Sequence, residues 1–536
     1  MIRKNNAGRW SNSKHRWLAL IGGISLLIWG ISGLTHIAMV LFGPQQAQFM
    51  PPASRPDLAE ARPIAATLEA QGIGRALAVK TVAGPAEGSL WQVTVEEMTP
   101  RRYFRPDTGE EIADGDRQQA EFLARHFLAS DAPLTGATLQ TEFSPDYPWV
   151  NRLLPVWKLE FAGDDRLTAF VHTETSSLAA VNNGRKEMLQ SVFRALHTWE
   201  WVPPGMDWLR VAVIAVMVGS LFALAATGIV MLIAVRRKAR LPGARGWHRR
   251  MGYVLSLPLI MFSLSGIYHL VQAALVPPGS QLRMGDPVSL AAGGWPVERD
   301  WSALSAGRDI ASVSLVAGGD GRPIYRLGLA PKMGGTGGGE HDHGSTAAKP
   351  AAEAAPDMHD HSAHMAAAPA RIPQTDAEIR EARYAGIRPD GPAIYIDAAT
   401  GDIAPDGERA MALAIAHRFS GAGEGAVTGA ELVTRFSHEY DFRNKRLPVW
   451  RVDYGAPVNA SLYVDTGAGV LVDRVEDWQK PERFVFSMIH KWNFLYPIGR
   501  LGLNIVVGLF AITLIGFMAV LGLRMDLARR WRQQRG

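Results

Sequence analysis

Ser32-Gly33-Leu34-Thr35-His36 lies near the end of a long apolar run, and it returns almost unchanged as Ser265-Gly266-Ile267-Tyr268-His269. Each of these histidines follows another by 21 residues: His36 follows His15, and His269 follows His248. At about 1.5 Å per helical residue the interval is roughly 31 Å, close to the hydrocarbon thickness of a bilayer. Such a helix offers an imidazole at each membrane face, and the chain builds it twice. The spacing points to a haem ladder that carries electrons across a membrane.

Outward from this motif, four segments are long enough to span and carry no formal charge: Trp17 to Phe42, Val211 to Val235, Met251 to Val276 and Leu501 to Leu523. The sequence thus predicts transmembrane helices over 17–42, 208–235, 251–276 and 501–523. The first follows a basic flank, as a signal peptide would. It is too long for one, holds Trp29 and His36, and lacks a small-residue cleavage site, so it reads as a retained helix.

The chain has 536 residues, 47% of them apolar, and a net charge of +5. The excess lies in three short segments: the N-terminus 1–16, the loop 236–250 and the tail 524–536. The positive-inside rule puts all three, and both termini, in the cytoplasm. That accounts for the charge through the lipid bilayer, with no nucleic-acid partner. Segments 43–207 and 277–500 then lie outside, in the periplasm if the membrane is a bacterial inner membrane. The absence of cysteine excludes disulfides, iron–sulfur clusters and covalent C-x-x-C-H haem. Any haem must be held by His or Met.

Both outer segments read as α+β modules. Arg62 to Ala70 has helical periodicity, and Trp91 to Val95 alternates as a strand. Tyr103 to Glu110 ends in an Asp-Thr-Gly turn, and Tyr395-Ile396-Asp397 leads into Thr400-Gly401-Asp402. Leu154-Pro155-Val156-Trp157-Lys158-Leu159 matches Leu447-Pro448-Val449-Trp450-Arg451-Val452, 293 residues later, and His197-Thr198-Trp199 matches His490-Lys491-Trp492 at that offset. The membrane motifs repeat at 233, so the second half holds about 60 extra residues, most of them in the Gly/Ala/Pro/His-rich stretch 331–372, expected to be disordered. The predicted fold is a four-helix membrane protein with an internal duplication, a pseudo-two-fold axis and outer α+β modules.

Three histidine pairs obey the repeat: His15 with His248, His36 with His269, and His197 with His490. A lone membrane histidine is readily explained by an interhelical hydrogen bond. Six at repeated positions point instead to axial ligation of non-covalent, bis-histidine haem b, about two groups per chain. Arg16 and Arg249 follow the inner histidines and suit haem propionates, or serve only the charge bias. His126, His172, His417 and His438 read as ordinary surface or core residues. In the insert, His341, His343, His359, His361 and His364, with Glu340, Asp342, Met358, Asp360 and Met365, form a tract able to chelate copper, zinc or iron.

At these residues the chain resembles the PepSY-associated transmembrane family of iron-regulated membrane proteins. The resemblance rests on His15-Arg16-Trp17, His248-Arg249-Arg250-Met251-Gly252, the two Ser-Gly-x-x-His ends, the turns Asp107-Thr108-Gly109-Glu110 and Ala399-Thr400-Gly401-Asp402, and His197 and His490 before the closing spans. It covers nearly everything but 331–372. It implies PepSY-like outer modules and the role of an inner-membrane ferric-siderophore reductase, with haem b on the six histidines. The implied partners are a ferric-siderophore or other metal chelate outside and a separate electron donor, while the composition of the insert adds periplasmic metal-handling proteins as a partner. No G-x-G-x-x-G in a strand–turn–helix setting predicts a nucleotide or flavin domain. Two rival readings are a copper- or zinc-binding or transport protein without haem, and a regulatory or scaffolding protein acting through its PepSY modules.

Overall fold

The computed structural model describes the chain from Ile2 to Gln534 except residues 55, 58–60, 87, 164, 235–242, 276–284, 286, 290–303, 306–307, 320, 331–383, 385, 388–392 and 405–406. The His-rich tract and most of the basic loop lie outside the described residues.

Among the described residues four helices are long and apolar enough to cross a membrane. The first span is Ile2–Phe42, the second Asp207–Ala234 and the third Gly243–Leu275. The fourth comprises Gly499–Leu514 and Leu521–Gln534, with a π-helical Ile515–Val520 between them. The first, third and fourth helices run several residues beyond their apolar stretches, because polar residues continue a helix once it leaves the hydrocarbon.

The spans form a ring in which the first and third each pack against the second and fourth. Close approach there depends on missing side chains. A β-carbon at Gly22 would come within 2.9 Å of Leu224, and one at Gly23 within 2.6 Å of Leu523. Leu26, Leu221, Ala225, Leu255, Leu259, Leu514 and Ala519 fill the middle of the bundle as one apolar core.

Two four-stranded antiparallel meanders lie outside the bundle. One runs Leu134–Gln140, Val156–Phe161, Thr168–His172, Ser177–Asn182, and the other Val427–Val433, Val449–Tyr454, Ala460–Asp465, Val470–Glu476. Trp157 opposes Val171 in the first, and Trp450 opposes Val464 in the second. Each sheet buries one face under a helix. Gly115–Leu128 contributes Ala120, Leu123 and Phe127, and Gly407–Ser420 contributes Met411, Ala412 and Ile415.

A seven-stranded sheet joins sequence-distant segments. Its order is Ile403–Ala404, Ile394–Asp397, Pro323–Leu329, Ile310–Ala317, Ala78–Ala83, Ser89–Thr94, Arg102–Phe104. The seam pairs Ser314 with Lys80 and Leu315 with Val79, and the backbone N–H of Val313 donates to Thr81 Oγ1 at 2.9 Å. The sequence predicts separate modules for the two outer segments, but strands from both share this single sheet. Joining them pairs two edges that would otherwise lie open.

Candidate functional site

The repeated histidines fall into two groups at opposite ends of the bundle core. At the end away from the sheets, His15 of the first span faces His248 of the third, with ring centres 6.3 Å apart and planes at 70°. His15 Nδ1 lies 3.1 Å from the Leu224 carbonyl and 3.2 Å from Thr227 Oγ1, and His248 Nδ1 lies 3.1 Å from the Phe517 carbonyl. A carbonyl oxygen only accepts, so each bond places the proton on Nδ1 and leaves Nε2 with its lone pair.

Glycines make room beside both rings. A β-carbon at Gly228 would lie 3.5 Å from His15 Cε1, and one at Gly522 would lie 3.5 Å from His248 Cε1. Leu224 and Phe517 are 293 residues apart, whereas Gly228 and Gly522 are 294 apart. The π-helical turn Ile515–Val520 accommodates the added residue between these landmarks.

The sheet-facing group comprises His36, His197, His269 and His490. His197 sits in the π-helical Arg194–Thr198 and His490 ends the π-helical Val485–His490. Ser32 Oγ lies 2.9 Å from His197 Nδ1, and Ser265 Oγ lies 3.1 Å from His490 Nδ1. Each serine spends its own proton on its helix, donating to the Trp29 carbonyl at 3.1 Å or the Met261 carbonyl at 2.6 Å. Each serine oxygen therefore accepts from Nδ1, and Nε2 is again unprotonated. Burial, reinforced by neighbouring imidazoles, lowers His197 to about 4 and His490 to about 3, so both are neutral near pH 7.

A phenylalanine stands between the histidines on each side. Phe193 has ring centres 5.4 Å from His36 and 4.6 Å from His197, and Phe486 has them 4.0 Å from His269 and 5.3 Å from His490. This favours pairing across the bundle over pairing His36 with His197 or His269 with His490. His269 Nδ1 also bonds the Glu482 carboxylate. Sequence reasoning named the six histidines, quoted Ser32 and Ser265 as part of the motif without giving them a role, and assigned none to Phe193, Phe486, Gly228, Gly522 or Glu482. For all but Glu482 the signal was present, because each recurs in the repeat.

Arg16 is exposed and Arg249 half-buried, each adjoining its histidine in sequence. The other histidines have local partners. His172 is buried with Nε2 3.1 Å from Arg101 Nη2, His126 Nε2 lies 2.9 Å from the Met50 carbonyl, and His417 Nδ1 meets Tyr454 Oη at 3.0 Å. His438 Nε2 is 3.9 Å from Glu439. Among the described residues no three His, Asp or Glu side chains converge as a chelate for a bare ion. The proposed copper, zinc or iron ligands His341, His343, His359, His361 and His364 lie outside the described residues.

Two axial imidazoles provide a test of fit. Metal–nitrogen bonds of about 2.0 Å, plus about 1.1 Å from each nitrogen to its ring centre, separate the centres by roughly 6.2 Å. The His15–His248 separation of 6.3 Å matches, and the Nδ1 bonds set the tautomer that ligation needs. At this inner pair the donors fit a bis-histidine haem.

Four apolar spans joined to α+β modules define a multi-pass membrane protein, with four of the repeated histidines on its first and third spans. The profile described as the PepSY-associated TM region matches residues 13–530, and the chain belongs to that family. A search of curated proteins found no match.

Proposed function

We propose that this chain is a haem-b-containing inner-membrane reductase that moves electrons from a cytoplasmic-side donor to a ferric-siderophore or similar chelate in the periplasm. The observation that carries the reading is the facing His15–His248 pair, 6.3 Å apart with both Nδ1 atoms committed to carbonyls. Haem b supplies a one-electron carrier that needs no covalent attachment.

The chain's own residues hold two electron-carrying positions apart. His15 and His248 define the inner position, and His36, His197, His269 and His490 define the outer one. The apolar layer around Leu26, Leu255 and Leu514 lies between them. The repeated positions support an ancestral duplication, with both termini in the cytoplasm and both sets of modules outside. At the outer end one electron converts chelated Fe(III) to Fe(II). Hard oxygen donors bind Fe(II) far less tightly, so the metal is released. The modules bind or orient the chelate, and the His-rich tract serves copper, zinc or iron capture, passing metal to periplasmic partners.

The test is the visible spectrum of the purified chain. Dithionite should give a b-type α band, and His15→Ala or His248→Ala should remove part of it. A colourless protein, or a spectrum unchanged by both substitutions, would refute the reading. Deleting 331–372 should leave haem content intact while lowering metal binding.

A further inference from the structure

The outer histidine group carries a charge difference that the repeat does not share. At the 293-residue offset, Glu482 stands where the first half has Leu189, and Lys491 stands where it has Thr198. Glu482 belongs to the short helix Lys480–Phe484, and its side chain is only 13% exposed where it bonds His269 Nδ1. Lys491 follows His490 directly in the sequence, and its ammonium lies 4.6 Å from the centre of the Phe486 ring, which stacks on His490 at 5.3 Å.

The two charges act in opposite senses. A carboxylate that accepts the Nδ1 proton of an imidazole makes Nε2 a stronger electron donor. Stronger donation favours the oxidised, more positive state of whatever centre Nε2 holds. A nearby ammonium favours the reduced state by direct electrostatics. Both residues come from the connector 480–491, so one segment of the second half brings both charges to the outer end.

We propose that Glu482 is a positioning residue that lowers the reduction potential of the centre held by His269, while Lys491 raises that of the centre held by His490. The inference rests on the haem reading above. It adds that the outer end is polarised by charge, although its histidine framework is nearly symmetric.

The experiment is a spectroelectrochemical titration of the full-length, haem-loaded protein, with haem-to-protein ratio measured in parallel. Glu482→Gln and Glu482→Leu should keep the wild-type ratio and shift the midpoint of one component upward. Lys491→Thr should shift a midpoint downward. A wild-type ratio with unmoved midpoints in the Glu482 variants overturns the proposal and leaves the haem reading standing. Loss of haem from Glu482→Gln also overturns it, since the carboxylate would then be needed for retention. If the Glu482 variants fail to accumulate, Lys491→Thr decides, and an unchanged midpoint there refutes the polarisation. A wild-type protein without a b-type spectrum refutes both readings together.

Discussion

Ser32 and His197 lie 165 residues apart in sequence, and their side chains meet with Oγ 2.9 Å from Nδ1. The bond gives the repeated Ser-Gly-x-x-His motif a second role. Its histidine is one proposed ligand, and its serine sets the tautomer of another on the connector before the next span. Ser265 does the same for His490 at 3.1 Å.

Replacing either serine by alanine should therefore weaken haem retention without unfolding the bundle. Removing the partner of a ligating histidine typically costs about 10–100-fold in affinity. Ser32→Ala and Ser265→Ala should each lose haem faster during detergent dialysis, read from the reduced-minus-oxidised difference spectrum. Ser32→Thr keeps the hydroxyl and should retain it. Equal retention by alanine and threonine variants would mean that the contact does not orient a ligand.

Gly228 and Gly522 allow a graded test at the other end of the bundle. An added methyl would sit 3.5 Å from an imidazole carbon, which is ordinary contact, so Gly228→Ala and Gly522→Ala should bind normally. A branched side chain overfills the same space and would push the ring from its carbonyl. Gly228→Leu and Gly522→Leu should lose the share of the α band owed to His15 and His248, leaving the outer share in place. A uniform loss of all absorbance would indicate general misfolding instead.

The spans were legible because uncharged runs of membrane length are a strong local signal, and the six histidines stood out because they recur at repeated sequence positions. The seam between Ala78–Ala83 and Ile310–Ala317 was not, since pairing across more than 200 residues leaves no periodic trace in either strand. The polar ends of the spans were also hidden. Residues such as Asn5, Lys14 and Arg16 do not look membrane-like, yet they continue the helix that starts at Ile2. The serine contacts were half visible, in that the motif was noticed but its partner lies on another element. Glu482 was beyond reach because its role depends on a difference between the halves.

The final prediction concerns the joint between the sheets. Glu174, 1% exposed, pairs with Arg446, and its Oε1 lies 3.7 Å from Lys80 Nζ, while Arg446 also holds Asp465 at 2.8 Å. These groups come from the seven-stranded sheet and from both meanders, so one carboxylate ties three sheets together. Burial raises the Glu174 pKa, but Arg446 and Lys80 outweigh burial and hold it below the ordinary 4.5. A depressed carboxylate contributes stability above its unfolded pKa and loses it as pH falls toward the folded one. Glu174→Gln takes the carboxylate from the buried Arg446 and the half-buried Lys80 and should cost about 3–5 kcal/mol at neutral pH. Thermal melts of the full chain followed by tryptophan fluorescence should show wild-type stability nearly level down to about pH 5 and falling below it. The Gln variant should start lower and fall less steeply over that acid range. Parallel slopes for the two proteins would show that the cluster does not govern acid stability.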